Sequence, residues 1–170
     1  KLPSQLGQYI NSLVQLEDGE KVIKVISVSK PVGYVVCVYE NGKIAKIDIK
    51  SYMSNNTKLV NCFNTDSKLI AIDYIEKDCD VLFIAEDSKS LIVDTSTINS
   101  KGSKSSQGNI GIKLNDGNKC IYSYINVPKD FKFTVETKTK EIDFMLDDVS
   151  LKNDDRTLYT YLKGRTGNKG

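Results

Sequence analysis

The sequence predicts an all-β, propeller-like array of about three four-stranded antiparallel blades, forming an open arc or a fragment of a larger array. Three observations predict it: a repeat of about fifty residues, strand-like segments rich in Val, Ile, Tyr, Phe and Thr inside each repeat, and polar turns between them. The opening lysines of the three repeats, Lys21, Lys68 and Lys119, are 47 and 51 residues apart. The second strands, opening at Tyr34, Val81 and Phe131, are 47 and 50 apart, so two landmarks drift together.

The elements follow in order. Residues 1–18 form a lead-in, in which Leu6, Ile10, Leu13, Val14 and Leu16 fit either a short helix or an extended segment. Residues 19–64 form the first blade: strands at Lys21–Ile26 and Tyr34–Tyr39, the turn Glu40-Asn41-Gly42-Lys43, a third strand to Ile49, and a closing strand at Lys58–Phe63. Asn-Gly is read as a type I′ turn, which needs positive φ at both central residues. Residues 65–116 form the second blade, with strands at Lys68–Ile72, from Val81, at Leu91–Val93 and at Gly108–Leu114. Residues 117–162 form the third, with strands at Lys119–Tyr124, from Phe131, up to Ile142 and beyond, and at Thr157–Leu162. Residues 163–170 are a tail. A blade cannot cover its apolar faces alone, and three are few for a closed ring.

Composition narrows the chemistry. The chain of 170 residues has no histidine, which excludes a histidine base, metal ligand or pH switch within it. Cys37, Cys62, Cys79 and Cys120 form no C-x-x-C pair and read as reduced, packed thiols of a cytoplasmic protein. There is no phosphate-binding glycine loop, so neither cofactor, metal nor catalytic residue is expected. No apolar run reaches the roughly 20 residues of a bilayer span, and no signal peptide opens the chain. The missing initiator methionine suggests a segment of a longer protein. Asp73-Tyr74-Ile75-Glu76-Lys77-Asp78-Cys79-Asp80 reads as a solvated hairpin turn, and the nine tyrosines as strand packing.

Net charge is +2, distributed as +3 over residues 1–64, −3 over 65–116 and +2 over 117–170. Only Arg156 and Arg165 among the 24 basic residues are arginines. Lysine meets phosphate as a point charge and rarely reads a base edge in a fork, so a nucleic-acid partner would be held by its backbone.

Three places resemble a known family. They are Leu16-Glu17-Asp18-Gly19-Glu20-Lys21-Val22, the hairpin Glu40-Asn41-Gly42-Lys43-Ile44-Ala45-Lys46, and the basic stretch from Ser100 through Gly108-Asn109-Ile110-Gly111-Ile112-Lys113-Leu114 to Gly117. In order and spacing, over roughly residues 15–162, they resemble the C-terminal domain of the A subunit of bacterial type IIA topoisomerases, DNA gyrase and topoisomerase IV. The resemblance implies a β-pinwheel, in which each blade borrows a strand from its neighbour. It implies a non-catalytic module that bends double-stranded DNA along its outer rim, with the rest of the A subunit and the ATPase B subunit as partners in the full enzyme. No membrane is involved.

The gyrase box, close to Q-R-R-G-G-K-G, is absent at 101–108. Gly164-Arg165-Thr166-Gly167-Asn168-Lys169-Gly170 matches four of its seven positions, at the end of the chain. The second repeat is apolar where a basic residue is expected, at Leu91-Ile92-Val93. These departures favour topoisomerase IV over gyrase. The phosphate-contacting candidates are Lys43, Lys46, Lys50 and Lys58 in the first unit, Lys101, Lys104 and Lys113 in the second, and Lys152, Arg156, Lys163 and Arg165 in the third. The competing reading is a propeller-like scaffold that binds another protein.

Overall fold

A computed structural model describes residues 7, 14, 16–56, 58–149 and 155–170. Lys152 and most of the Leu6–Leu16 stretch lie outside the described residues. The rest is all-β apart from short helical turns. Strands β1 (Tyr34–Tyr39) and β2 (Lys43–Asp48) form the first hairpin, β4 (Asp80–Ala85) and β5 (Ser90–Asp94) the second, and β8 (Lys132–Glu136) and β9 (Glu141–Met145) the third. Between them lie β3 (Leu69–Ile75), β6 (Asn109–Ile110) and β7 (Cys120–Ile125). A helical turn, α1 (Leu158–Leu162), follows.

The hairpins form because Val- and Ile-rich runs flank tight turns. In the first, the Gly42 amide donates to the Tyr39 carbonyl at 2.9 Å, and Gly42 has φ +76°. Asn41 is not left-handed, so the turn is a three-residue loop ending in a left-handed glycine rather than the expected type I′ turn. The second hairpin repeats the geometry: the Ser88 amide donates to Ala85 at 2.9 Å, and Ser88 stands at φ +65° where the first has glycine.

Sheet order shows how the units are joined. The first sheet runs β3-β1-β2-β6 and the second β5-β4-β7. β3 pairs antiparallel with β1, and β7 pairs antiparallel with β4. Each first strand of a repeat therefore covers the hairpin of the preceding repeat. Both pairings shift register at the same place, between Val38 and Tyr39 and between Ile84 and Ala85. β6, from the end of the second repeat, caps the outer edge of β2 at Lys43 and Ile44.

Four expected strands are corrected. Lys21–Ile26 joins no sheet, because the inner edge of β1 is taken by β3. Lys58–Phe63 forms no strand, because β6 occupies the outer edge of β2. The expected strand at Gly108–Leu114 shrinks to Asn109–Ile110. Thr157–Leu162 is helical: the Thr157 side chain caps the turn by accepting from the Thr160 amide, and Leu158, Tyr159 and Leu162 pack on an apolar cluster.

The core lies within and between the first two sheets. Val36, Val38, Ile44, Val81, Phe83, Val93 and Ile112 form one buried cluster; Cys37, Tyr39, Ala45 and Ile47 form a second on the other face of the first hairpin. Leu82, Ile92, Val127, Leu146 and Tyr159 form a third. All four cysteines are free thiols, and burial pushes Cys37 and Cys120 up to about 11.

Candidate nucleic-acid interface

The lysine-bearing loop after the second hairpin is pinned to the outer edge of the first. Lys101 forms a parallel bridge with Ile47, its amide donating to the Lys46 carbonyl at 2.8 Å and its carbonyl accepting from the Asp48 amide at 3.0 Å. The Ser51 hydroxyl donates to the Gly102 carbonyl at 2.8 Å. At the far end Gly108 has φ +73°, and a Cβ there would sit 2.1 Å from the Ile44 carbonyl oxygen. Only glycine permits this approach.

Side chains fasten the loop from below. Gln107 accepts from the Lys43 ammonium at 3.0 Å and donates to Asp66 at 2.8 Å, while the Asn64 amide donates to the Ser105 carbonyl at 3.3 Å. Hydrogen bonds from Asn64 and Gln107 hold the Asp66 carboxyl below the usual range. Lys101 projects from this frame into solvent, Lys104 is half-buried, and Lys50 is exposed beside Ser51.

The tail docks on the second hairpin in the same way. Lys163 makes a parallel bridge to Ile92 of β5, as Lys101 does to Ile47 of β2. The Gly164 amide donates to the Ile92 carbonyl at 2.9 Å, and the Gly167 amide to the Gly111 carbonyl at 2.8 Å. The Lys113 amide donates to the Asn168 carbonyl at 2.7 Å. Lys113 thus stands exposed where the two docked segments meet, with Arg165 and Lys169 exposed along the tail.

Several candidates are committed elsewhere. Lys46 does not reach the surface as expected: it is 5% exposed. Its ammonium bonds Asp78 at 2.5 Å and the Thr95 carbonyl at 3.1 Å, and lies 4.4 Å from the Tyr34 ring centroid. It locks the first sheet to the turn before β4. Asp78 is raised by burial, but the Lys46 and Thr95 hydrogen bonds and the Lys46 charge outweigh that and hold it below the usual carboxylate range.

Lys163 pairs with Asp80 at 2.8 Å, and the Tyr159 hydroxyl donates to the same carboxylate. Burial first, and then that bond, raise the Tyr159 phenol. Lys58 is exposed but pairs with Glu17 at 2.8 Å. Arg156 lies 5.4 Å from the Tyr161 ring centroid.

Lys169, exposed on the docked tail, was not among the sequence candidates, although a shared pattern places it beside them. Lys101-Gly102…Gly108 and Lys163-Gly164…Gly170 share the form K-G-x5-G, 62 residues apart. A second miss was Gln107, whose role depends on contacts no local pattern encodes.

A family model described as "WD40 repeated domain" matches residues 4–166. The chain belongs to that family. Among solved structures, this WD40 repeated domain is similar to the C-terminal domain of DNA topoisomerase IV. Identity is 20% and the TM-score 0.74, over 98% of this chain and 49% of that one. It is similar to the DNA gyrase A C-terminal domain, with 16% identity and a TM-score of 0.62, over 94% of this chain and 51% of that one. A third likeness is to the E. coli ParC C-terminal domain: 13% identity, TM-score 0.68, 98% of this chain and 66% of that one. The chain spans about half the length of the first two. No curated protein matches it in sequence. These likenesses give the WD40 repeated domain the β-pinwheel fold, in which blades exchange strands, as β3 and β7 do. Among the described residues, no helix is long and apolar enough to cross a membrane.

Proposed function

We propose that this domain is a non-catalytic DNA-binding and DNA-bending module of a type IIA topoisomerase A subunit, acting in the full enzyme with the rest of that subunit and the ATPase B subunit. The supporting observation is the pair of docked loops on successive hairpin edges. They set Lys50, Lys101 and Lys104 on one edge and Arg165 and Lys169 on the next, with Lys113 between. Duplex DNA offers about one charge per 1.7 Å of axis, so a rim with cations at successive edges can follow its backbone. Contacts of this kind are blind to sequence. Smooth bending of a short site costs about 1–6 kcal/mol, which counterion release at several phosphates offsets at low salt. Lys43 supports this set by holding Gln107, and Lys46 only through the fold.

Fluorescence anisotropy with a duplex of arbitrary sequence tests the reading. Four phosphate contacts predict that affinity falls about a hundredfold between about 50 and 200 mM salt. Joint Lys101→Glu and Lys104→Glu should weaken binding by at least about tenfold, with Lys138→Glu on the third hairpin within about twofold of native. Binding that ignores salt, or is absent at low salt, overturns the proposal and leaves the protein scaffold.

A further inference from the structure

The basic loop belongs to the second repeat, lies on the hairpin of the first, and is held at its middle by the turn between them. The main chain fixes its ends: Lys101 bridges to Ile47, while Asn109 and Ile110 pair with Ile44 and Lys43. Residues 102–108 belong to no ladder. The main chain gives that stretch, which carries Lys104, one internal turn, in which the Ser106 amide donates to the Ser103 carbonyl at 3.2 Å.

The turn Asn64-Thr65-Asp66-Ser67 supplies what the ladder lacks. It is itself anchored on the first hairpin. The Asn64 amide donates to the Tyr39 hydroxyl at 3.1 Å, and the Ser67 hydroxyl accepts from the Asn41 amide at 3.2 Å. The buried Asn64 side chain accepts from the Asp66 amide at 3.1 Å and donates to the Asp66 carboxylate at 3.1 Å. It also donates to the Ser105 carbonyl, next to Lys104, at 3.3 Å. The same Asp66 oxygen accepts from the Gln107 side chain at 2.8 Å, and Gln107 accepts from Lys43 at 3.0 Å. One carboxylate oxygen therefore gathers two side-chain amides: that of Asn64, which grips Ser105, and that of Gln107, which is part of the loop.

We propose that Asp66 and Gln107 are positioning residues for the DNA contact: their clasp holds Lys101 and Lys104 in one arrangement before DNA arrives, so that an acid beside a phosphate-binding loop strengthens binding. This role rests on the DNA-binding reading above and adds the residues that set its strength. Charge alone gives the opposite sign, because a carboxylate repels phosphate. On an exposed side chain that repulsion is screened by salt, and Lys43 on the far side of Gln107 offsets it. A loose loop must instead be ordered at the moment of binding, and that loss of freedom comes out of the affinity.

Fluorescence anisotropy against a duplex across a salt series tests this, beside circular dichroism. Asp66→Ala and Gln107→Ala replace exposed side chains and should leave the spectrum unchanged. Each should weaken binding about three- to tenfold, with the slope of log affinity against log salt unchanged, because the same phosphates are met at a greater ordering cost. Combined, the two should weaken it no more than either alone. Asp66→Asn removes the same charge as Asp66→Ala and keeps an accepting oxygen, so it should bind within about twofold of native or tighter. Joint Lys101→Glu and Lys104→Glu, which removes contacts, should lower the slope. Without DNA, trypsin should cut after Lys104 at least about threefold faster in both alanine variants. If Asp66→Ala alters the spectrum, Gln107→Ala decides. Alanine variants that bind as tightly as native, that lower the slope, or that leave cleavage after Lys104 unchanged would overturn the clasp and leave DNA binding standing. A native chain that fails to bind DNA at low salt overturns both.

Discussion

The first hairpin and the third are built alike and live in different surroundings. β1 is buried along nearly its whole length, with β3 on one edge, β2 on the other and β6 beyond. β8 alternates between exposed and half-buried, with β9 as its one partner in the sheet among the described residues. Equivalent positions make the contrast concrete. Lys46, Ile92 and Asp143 occupy the same place on the second strand of successive hairpins, opposite Val36, Leu82 and Thr134. Lys46 is a buried lock to the next unit, Ile92 is part of an apolar cluster, and Asp143 faces solvent bonded to the Thr134 hydroxyl at 2.7 Å. A hairpin in this fold takes its core from its neighbours, not from its own two strands.

The sharpest way to break the comparison is a pair of truncations at equivalent sites. Phe83 is fully buried, and Phe83→Ala should cost about 3–5 kcal/mol in urea unfolding. Val135→Ala, at the matching place in the third hairpin, should cost less than about 1 kcal/mol, because its side chain is only half-covered. Equal costs would mean that the third hairpin is buried as deeply as the second.

A smaller effect sharpens the contrast between turns. Ser88 occupies the left-handed position that Gly42 fills in the first hairpin, so Ser88→Gly should stabilise by about 1 kcal/mol. Gly42→Ser should do the reverse, since a Cβ there would meet the Ile112 carbonyl oxygen at 2.5 Å.

The smallest effect concerns pH. Asp78 has a lowered folded pKa, so its contribution is present above the unfolded value of about 3.9 and is lost as pH falls through the folded one. Lys46→Met should therefore destabilise at neutral pH, and the gap from native should narrow on acidification below about pH 4. A gap constant with pH would mean that Lys46 acts through packing alone.

The hairpins were legible because Val, Ile and Tyr runs around Asn41-Gly42 and its counterparts leave little else for the backbone to do. Which hairpin each lone strand would join was not legible, because a fifty-residue period fixes spacing and says nothing of partner. Leu158-Tyr159-Thr160-Tyr161-Leu162 misled because alternation of apolar and polar residues over five positions fits a strand and one helical turn alike. Lys101 and Lys104 were visible as a basic loop. The withdrawal of Lys46 was not, because it depends on Asp78 and Thr95, which lie on the turns flanking the second hairpin.

Backward lending of strands also sets an order of birth. When Asp48 leaves the ribosome the first hairpin is whole in sequence, yet β3 is still to come and the β6 cap ends only at Ile110. At about 5–20 residues per second, roughly sixty further residues keep that outer edge waiting for about 3–12 seconds. Each newborn blade is finished by its younger sibling, and a stalled translation leaves the last one bare.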